Sequence, residues 1–366
     1  MPDTDKTSAI DNSTITPTVP LTFAEEVVQL QQRISQTDMP DDLKQKAMAM
    51  VARLERIQEA ENFSVEFDRT AHYIDWITSL PWTARSEDNL DLAKTREVFE
   101  KHHYGMQEIK ERFLEYVSIL KLRASQSNNK VLHAPVLLLV GLAGTGKTTF
   151  AYSLADAMNR KLVRIPFGGL SSARDLRGQS RLHMESEPGY IMKSLRKAGV
   201  RNPIILVDEI DRVSDSTRGE IMGVLLELLD PEQNIAFSDY YIDYPFNLSE
   251  AIFIATANNT EKVATAVLDR LEVIPMPSYT DEEKFHIGKD YLLPKALEES
   301  GLDASVITID DDIWRNVIRP MGFDAGIRTL SRTIQYIVRR VAKLVVEGKL
   351  QTIHLTKENV KEYLPT

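Results

Sequence analysis

The nine residues Gly141-Leu142-Ala143-Gly144-Thr145-Gly146-Lys147-Thr148-Thr149 carry the clearest chemistry in this sequence. Their G-x-x-x-x-G-K-T spacing lets backbone N–H groups curl around phosphate oxygens. Lys147 can then reach the β- and γ-phosphates of a nucleoside triphosphate such as ATP, and the Thr148 hydroxyl can hold Mg²⁺. A helix opening at Lys147 would add its positive N-terminal end. Farther along, Ile204-Ile205-Leu206-Val207 runs into Asp208-Glu209. A strand ending in two carboxylates delivers them to the sheet edge where ligands bind. Asp208 can organise hydrated Mg²⁺, and Glu209 can polarise an attacking water. A carboxylate there, rather than an amide, predicts hydrolysis and not mere binding. A third apolar run, FIATAN, ends at Asn258, whose neutral amide can hold that water against the γ-phosphate. Arg270 in LDRLE and Arg328 in GIR could stabilise charge on a transferring phosphoryl group, with salt bridging as the competing use.

These residues need a scaffold that brings three strand ends together. APVLLLV, KLVRIPF, PIILVDE and AIFIATAN are short apolar runs separated by helix-length segments. That alternation predicts an α/β fold with a parallel sheet covered by helices on both faces. Residues 1–20, rich in Thr, Ser, Asp and Pro, are expected to be a disordered tail. Residues 21–88 read as a helical N-terminal segment, with stripes at Phe23, Val27, Val28 and Leu30, then Met48, Val51, Leu54 and Ile57, then Tyr73, Trp76, Ile77 and Leu80. Residues 89–276 would form the nucleotide-binding domain, with Ile109, Phe113, Val117 and Leu120 as one helix face. Residues 277–366 read as a small, mainly helical lid. There Thr280-Asp-Glu-Glu283 is a capping box for a helix running to about Glu299.

The chain's 366 residues suit two or three domains, and 43% hydrophobic with 27% charged residues suit a globular core. It has no cysteine, so neither a disulfide framework nor a thiolate metal site can form, which suits a reducing cytoplasm. No apolar run reaches the roughly 18 residues of a membrane span, and no secretory signal is evident at the N-terminus. The net charge of −10 disfavours nonspecific nucleic-acid binding. Arg339, Arg340 and Lys343 form the best local basic patch, and a solvated helix face explains them more simply.

With these residues in place the sequence resembles the AAA+ ATPase module of the Lon ATP-dependent protease family. The stretches that carry the likeness are DWITSLPW, EDNLDLAKTREVFEKHHYG, LVGLAGTGKT, SLRKAG, ILVDEID, LLELLDPEQNIAFSDYYID, FIATANN, VLDRLEVI and YTDEEK, across about residues 70–335. The resemblance implies a ring, usually a homo-hexamer, with ATP between subunits. It implies that Arg270 is the arginine finger offered to a neighbour's ATP, Arg328 the lid arginine (sensor 2), Asn258 sensor 1, and Tyr104 an adenine contact. It also implies loops that pull polypeptide through a pore.

Two departures qualify that picture. The family continues into a serine–lysine peptidase domain, and the sequence ends at Thr366 near where that domain would begin. The expectation is an ATPase without intrinsic peptidase activity, acting with a separate peptidase or as a chaperone-like unfoldase. The alternative is a regulatory or DNA-associated AAA+ switch that threads nothing. The second departure lies in the segment RGQSRLHMESEPGY from Arg177 to Tyr190, where the family's pore loop carries Tyr-Val-Gly and this sequence has His183, Met184 and Glu185.

Overall fold

A computed structural model describes residues 22–56, 63–125, 135–183, 185–319 and 324–365. The expected tail over residues 1–20, Ile57 and Met184 lie outside the described residues. The chain divides into two compact units, Met1–Thr78 and Ser79–Thr366.

The first unit holds the helices Phe23–Gln36 and Asp41–Arg56 and nearly all of Phe63–Ser79. Thr22 and Glu25 close a capping box on the first of these. Its buried side chains are Val27, Leu30 and Ile34, while Val28 faces out. A step of three and then four residues follows one face of a 3.6-residue helix, and Val28 falls about 100° off that line. Val51 and Leu54 are buried on the second helix, and Tyr73, Trp76 and Ile77 on the third.

The second unit begins with helices Leu92–His102 and Gln107–Ser125, which bury Phe99, Ile109, Phe113, Val117 and Leu120. Nine strands follow among the described residues: β1 Val136–Val140, β2 Leu162–Pro166, β3 Ile204–Asp208, β4 Phe237–Asp239, β5 Tyr244–Phe246, β6 Ile252–Ala257, β7 Leu271–Pro275, β8 Ile307–Ile309 and β9 Ile353–Leu355. Five form a parallel sheet in the order β2-β3-β6-β1-β7. The four expected runs are its inner strands and one edge, and β7 is an edge strand that the hydrophobic pattern did not reveal. Glu272 and Val273 on β7 are exposed, so it lacks the continuous apolar run of the others. The antiparallel hairpin β4–β5 likewise carries no continuous apolar run.

The order β3-β6-β1 brings the motif-bearing turns together. Val140 pairs with Ala257 and Val207 with Ala255, so the three strands end nearly level. The turns that leave them carry Gly141–Thr148, Glu209 and Asn258, and the topology lands all three side by side.

Beyond the sheet lies the helical lid, Asp281–His286, Leu293–Glu299, Trp314–Ile318, Arg328–Val346 and Val360–Tyr363, with the parallel pair β8–β9. Its core packs Trp314, Val317, Ile334, Ile337, Val338 and Leu355. Thr280 and Glu283 close the expected capping box. The helix they start is not uniform, because Ile287–Leu292 winds as a π-helix. Gly288 presses against the Trp314 ring there, and a Cβ at this position would sit 2.6 Å from it.

Candidate active site

Gly146 caps the helix Lys147–Ala157 at φ +91°, in the left-handed region that a side chain would resist. This conformation turns the loop so that Lys147 folds back over it. Lys147 Nζ donates to the carbonyls of Gly141 and Leu142, the latter at 3.0 Å, and to Asn258 Oδ1 at 3.3 Å. Burial pushes the Lys147 ammonium below its usual range, and the Asp211, Asp208 and Glu209 carboxylates oppose that shift. Thr145 is buried and donates to the Leu142 carbonyl at 2.9 Å, bracing the loop from within.

Asp208 is almost fully buried at the tip of β3. It accepts the Thr256 hydroxyl on Oδ1 and Arg164 Nε on Oδ2 at 2.7 Å. Glu209 follows in the left-handed conformation, φ +59° and ψ +50°. An L-residue held there costs about 1 kcal/mol or more. Its N–H donates to Thr256 Oγ1 at 2.9 Å, which fixes the turn, and its carboxylate lies 3.3 Å from Arg212. Asn258 donates from Nδ2 to Asp211 Oδ2 at 3.3 Å, so its amide is oriented with the oxygen toward Lys147.

A cleft of about 450 Å³ gathers Ala143, Gly144, Gly146, Lys147, Thr148, Thr149, Asp208, Glu209, Asn258 and Arg328. Gly141, Leu142 and Thr145 shape the loop from outside that lining. Thr148 and Asp208 supply an oxygen donor set that suits Mg²⁺, which takes one or two protein oxygens and keeps phosphate and water ligands. Arg164, Ser331 and Arg332 line the cleft as well, and sequence reasoning missed them. Arg164 lies mid-strand in LVRIP, where only the pairing of β2 with β3 places it beside Asp208. Arg328 and Arg332 occupy the first two turns of their helix. A cation in the first turn, as Arg328 is, costs roughly 0.3–1 kcal/mol, and an anion in the cleft offsets that cost.

A second cavity, of about 570 Å³, shares Gly146, Thr149, Leu292 and Ile327 with the first. His103, Tyr104, Tyr152, Tyr279, Ile287 and Tyr291 line it. Aromatic and aliphatic walls continuous with a phosphate cleft fit a base. Tyr104 stacks on His286 with ring centroids 5.2 Å apart. The π-helix is what turns Ile287, Tyr291 and Leu292 toward this cavity, and no sequence signal marked it.

His103 in this wall has a stability consequence. It is buried, stacked on Phe150 at 3.7 Å and bonded to Ser153 Oγ at 2.9 Å. Burial, with Lys110 nearby, drives its pKa from 6.5 down to about 3. The unfolded chain takes up a proton below about 6.5 while the folded chain refuses it, so stability is lost as pH falls through this window. His103→Gln keeps a partner for Ser153 and does not titrate. Between pH 7 and 5 it should lose about 2 kcal/mol less than the parent in urea unfolding. Equal losses would show that His103 protonates freely in the folded chain.

Arg270 is not in the cleft. It pairs with Asp230 at 3.3 Å and donates to the Ala266 carbonyl at 3.0 Å. His183 lies elsewhere, in a cavity of about 540 Å³ between the segment 174–183 and the β4–β5 hairpin. Its N–H donates to the Ser180 carbonyl at 3.0 Å.

The parallel sheet, the phosphate loop after β1, the paired carboxylates after β3, the amide after β6 and the helical lid together define an AAA+ P-loop NTPase. The profile for the ATPase family associated with various cellular activities (AAA) matches residues 137–277, and that for the Lon protease AAA+ ATPase lid domain matches residues 298–353. The chain is 40% identical over 339 residues to a Lon protease of Bacillus thuringiensis, covering 93% of this chain and 42% of that protein. It is 39% identical over 339 residues to Lon protease 1 of Bacillus subtilis, covering 93% and 43% respectively. For a Lon protease of Dictyoglomus thermophilum the identity is 40% over 340 residues, with 93% and 42% covered. The chain thus spans about two fifths of the length of these relatives, and it is a Lon-like AAA+ ATPase. No helix among the described residues is long and apolar enough to cross a membrane.

Proposed function

We propose that this chain is an ATP-driven protein unfoldase that works as a ring, most simply a homo-hexamer, and hands polypeptide to a peptidase. The observation that carries the reading is the convergence of Lys147, Asp208, Glu209, Asn258 and Arg328 on one cleft. Lys147 and the loop N–H groups hold the phosphates, and Tyr104 with the aromatic cavity holds the adenine. Thr148 and Asp208 would hold Mg²⁺, which would supply charge neutralisation to the phosphates. Glu209 takes the proton from the attacking water, and Asn258 aims that water. Arg328 stabilises charge on the transferring group from within the subunit. Arg270, set away from its own cleft, fits the finger offered to the next subunit's ATP. The loop bearing His183 and Met184 serves as the pore contact, and the names of the relatives support the link to proteolysis. Residues 21–88, 89–276 and 277–366 serve as N-terminal segment, motor core and lid.

A test is the ATP-dependent unfolding of a fluorescent protein carrying an unstructured tag. Fluorescence should fall with ATP and Mg²⁺ and hold steady with ADP. Steady fluorescence under both, with ATP turning over, would leave an ATPase that pulls nothing.

A further inference from the structure

The segment from Gly178 to Gly189 contains no Phe, Tyr or Trp. Aromatic rings supply a rigid, large contact surface for polypeptide at low entropic cost. The β4–β5 hairpin presents such a ring against this segment. Tyr240 is 52% exposed at the hairpin turn and lines the same cavity as His183. Its N–H donates to the Arg177 carbonyl at 2.7 Å, and the Arg177 guanidinium lies 5.7 Å from its ring centroid.

The hairpin is built to hold that ring still. Asp239, buried at the turn, accepts N–H bonds from Tyr241 at 2.8 Å, from Ile242 at 3.0 Å and from Gly189 at 2.7 Å. Gly189 closes the neck of the loop, and a Cβ there would run into the Leu176 carbonyl. Phe246, at the base of the hairpin, packs on Trp82 at 5.0 Å. One end of the hairpin is thus fixed in the protein, its turn is bonded to both ends of the loop, and the half-exposed Tyr240 ring stands on that turn. Leu182, 88% exposed, is a further apolar side chain on the loop.

We infer that Tyr240 is a polypeptide-gripping residue, an aromatic contact for an extended, unfolded client segment that the hairpin supplies in place of the one absent from the loop. This rests on the unfoldase reading. The ring hydroxyl is not required, because the ring face and edge make the contact.

The absence of cysteine makes the test clean. Tyr240→Cys carries a single thiol, which a benzophenone maleimide converts into a photo-crosslinker, and Val346→Cys gives an exposed control on the lid. With Mg·ATP, illumination should crosslink labelled casein at position 240 and not at 346. Casein affinity, read by anisotropy, should fall about tenfold in Tyr240→Ala and stay within about twofold in Tyr240→Phe, with thermal melts confirming that both fold. Casein bound and clients unfolded as in the parent by Tyr240→Ala, with no crosslink at 240, would overturn the role of Tyr240 and leave the motor standing. Tyrosine-dependent casein binding without unfolding would do the reverse. A parent that neither binds casein nor unfolds clients overturns both.

Discussion

Glu209→Gln should bind ATP as tightly as the parent and hydrolyse it at least about a hundredfold more slowly. The substitution keeps size and shape, and removes the carboxylate that accepts a proton from water. The Thr256 hydroxyl bond to the backbone N–H of residue 209 is untouched, so the turn stays in place. Arg212, now 3.3 Å from the carboxylate, loses only a half-exposed partner, worth about 1 kcal/mol or less. The two measurements are nucleotide affinity by titration and phosphate release at saturating ATP. Hydrolysis within threefold of the parent would remove Glu209 from the chemistry and leave the site a binding site alone.

Lys147→Ala should fail earlier, at binding. Among the cleft's described residues, its ammonium is the cation that is also bonded into the phosphate loop, through the Gly141 and Leu142 carbonyls and Asn258. A charge-assisted bond in a partly buried site is worth about 1.5–3 kcal/mol. Without its bonds to the β- and γ-phosphates, ATP should bind about a hundredfold more weakly, or worse. The variant should show no measurable turnover and no stabilisation against heat by millimolar ATP. A melting temperature that rises with ATP as in the parent would show that Arg164, Arg328 and Arg332 hold the phosphates without it. The two variants separate the steps, since Glu209→Gln retains thermal stabilisation by ATP and Lys147→Ala loses it.

The sequence made the centre of this site readable because each piece carries its own local signal. Glycine spacing marks the loop, an apolar run marks each inner strand, and Asp208-Glu209 and Asn258 stand where those runs stop. Residues reached only through tertiary pairing left no such mark. Arg164 alternates within a strand like any outward-facing side chain, and its meaning comes from lying across from β3. Arg332 is one helical turn after Arg328 and reads as surface charge until the lid is seen to face the loop. The edge strand β7 is half solvated and the hairpin β4–β5 carries Asp239, Asp243 and Pro245, so both lack the apolar continuity that exposes a central strand. Tyr104 stands out in the sequence only through family likeness. The aromatic and aliphatic cavity around it depends on a π-helix that no hydrophobic period encodes.

The Ile327 N–H donates to the Gly144 carbonyl at 3.1 Å, and Gly326 packs so closely on the phosphate loop that a Cβ there would lie 2.5 Å from the Ala143 carbonyl oxygen. The phosphate loop and the lid are therefore stitched at the point where the two cavities meet. A nucleotide spanning both would act as a rivet between two bodies, its phosphates seated on the sheet and its base between sheet and lid. Its residence time is then a property of the joint and not of either surface. On the unfoldase reading proposed above, a load that tilts the lid would shear the rivet, and force on a polypeptide and escape of spent nucleotide would become two readings of one mechanical event.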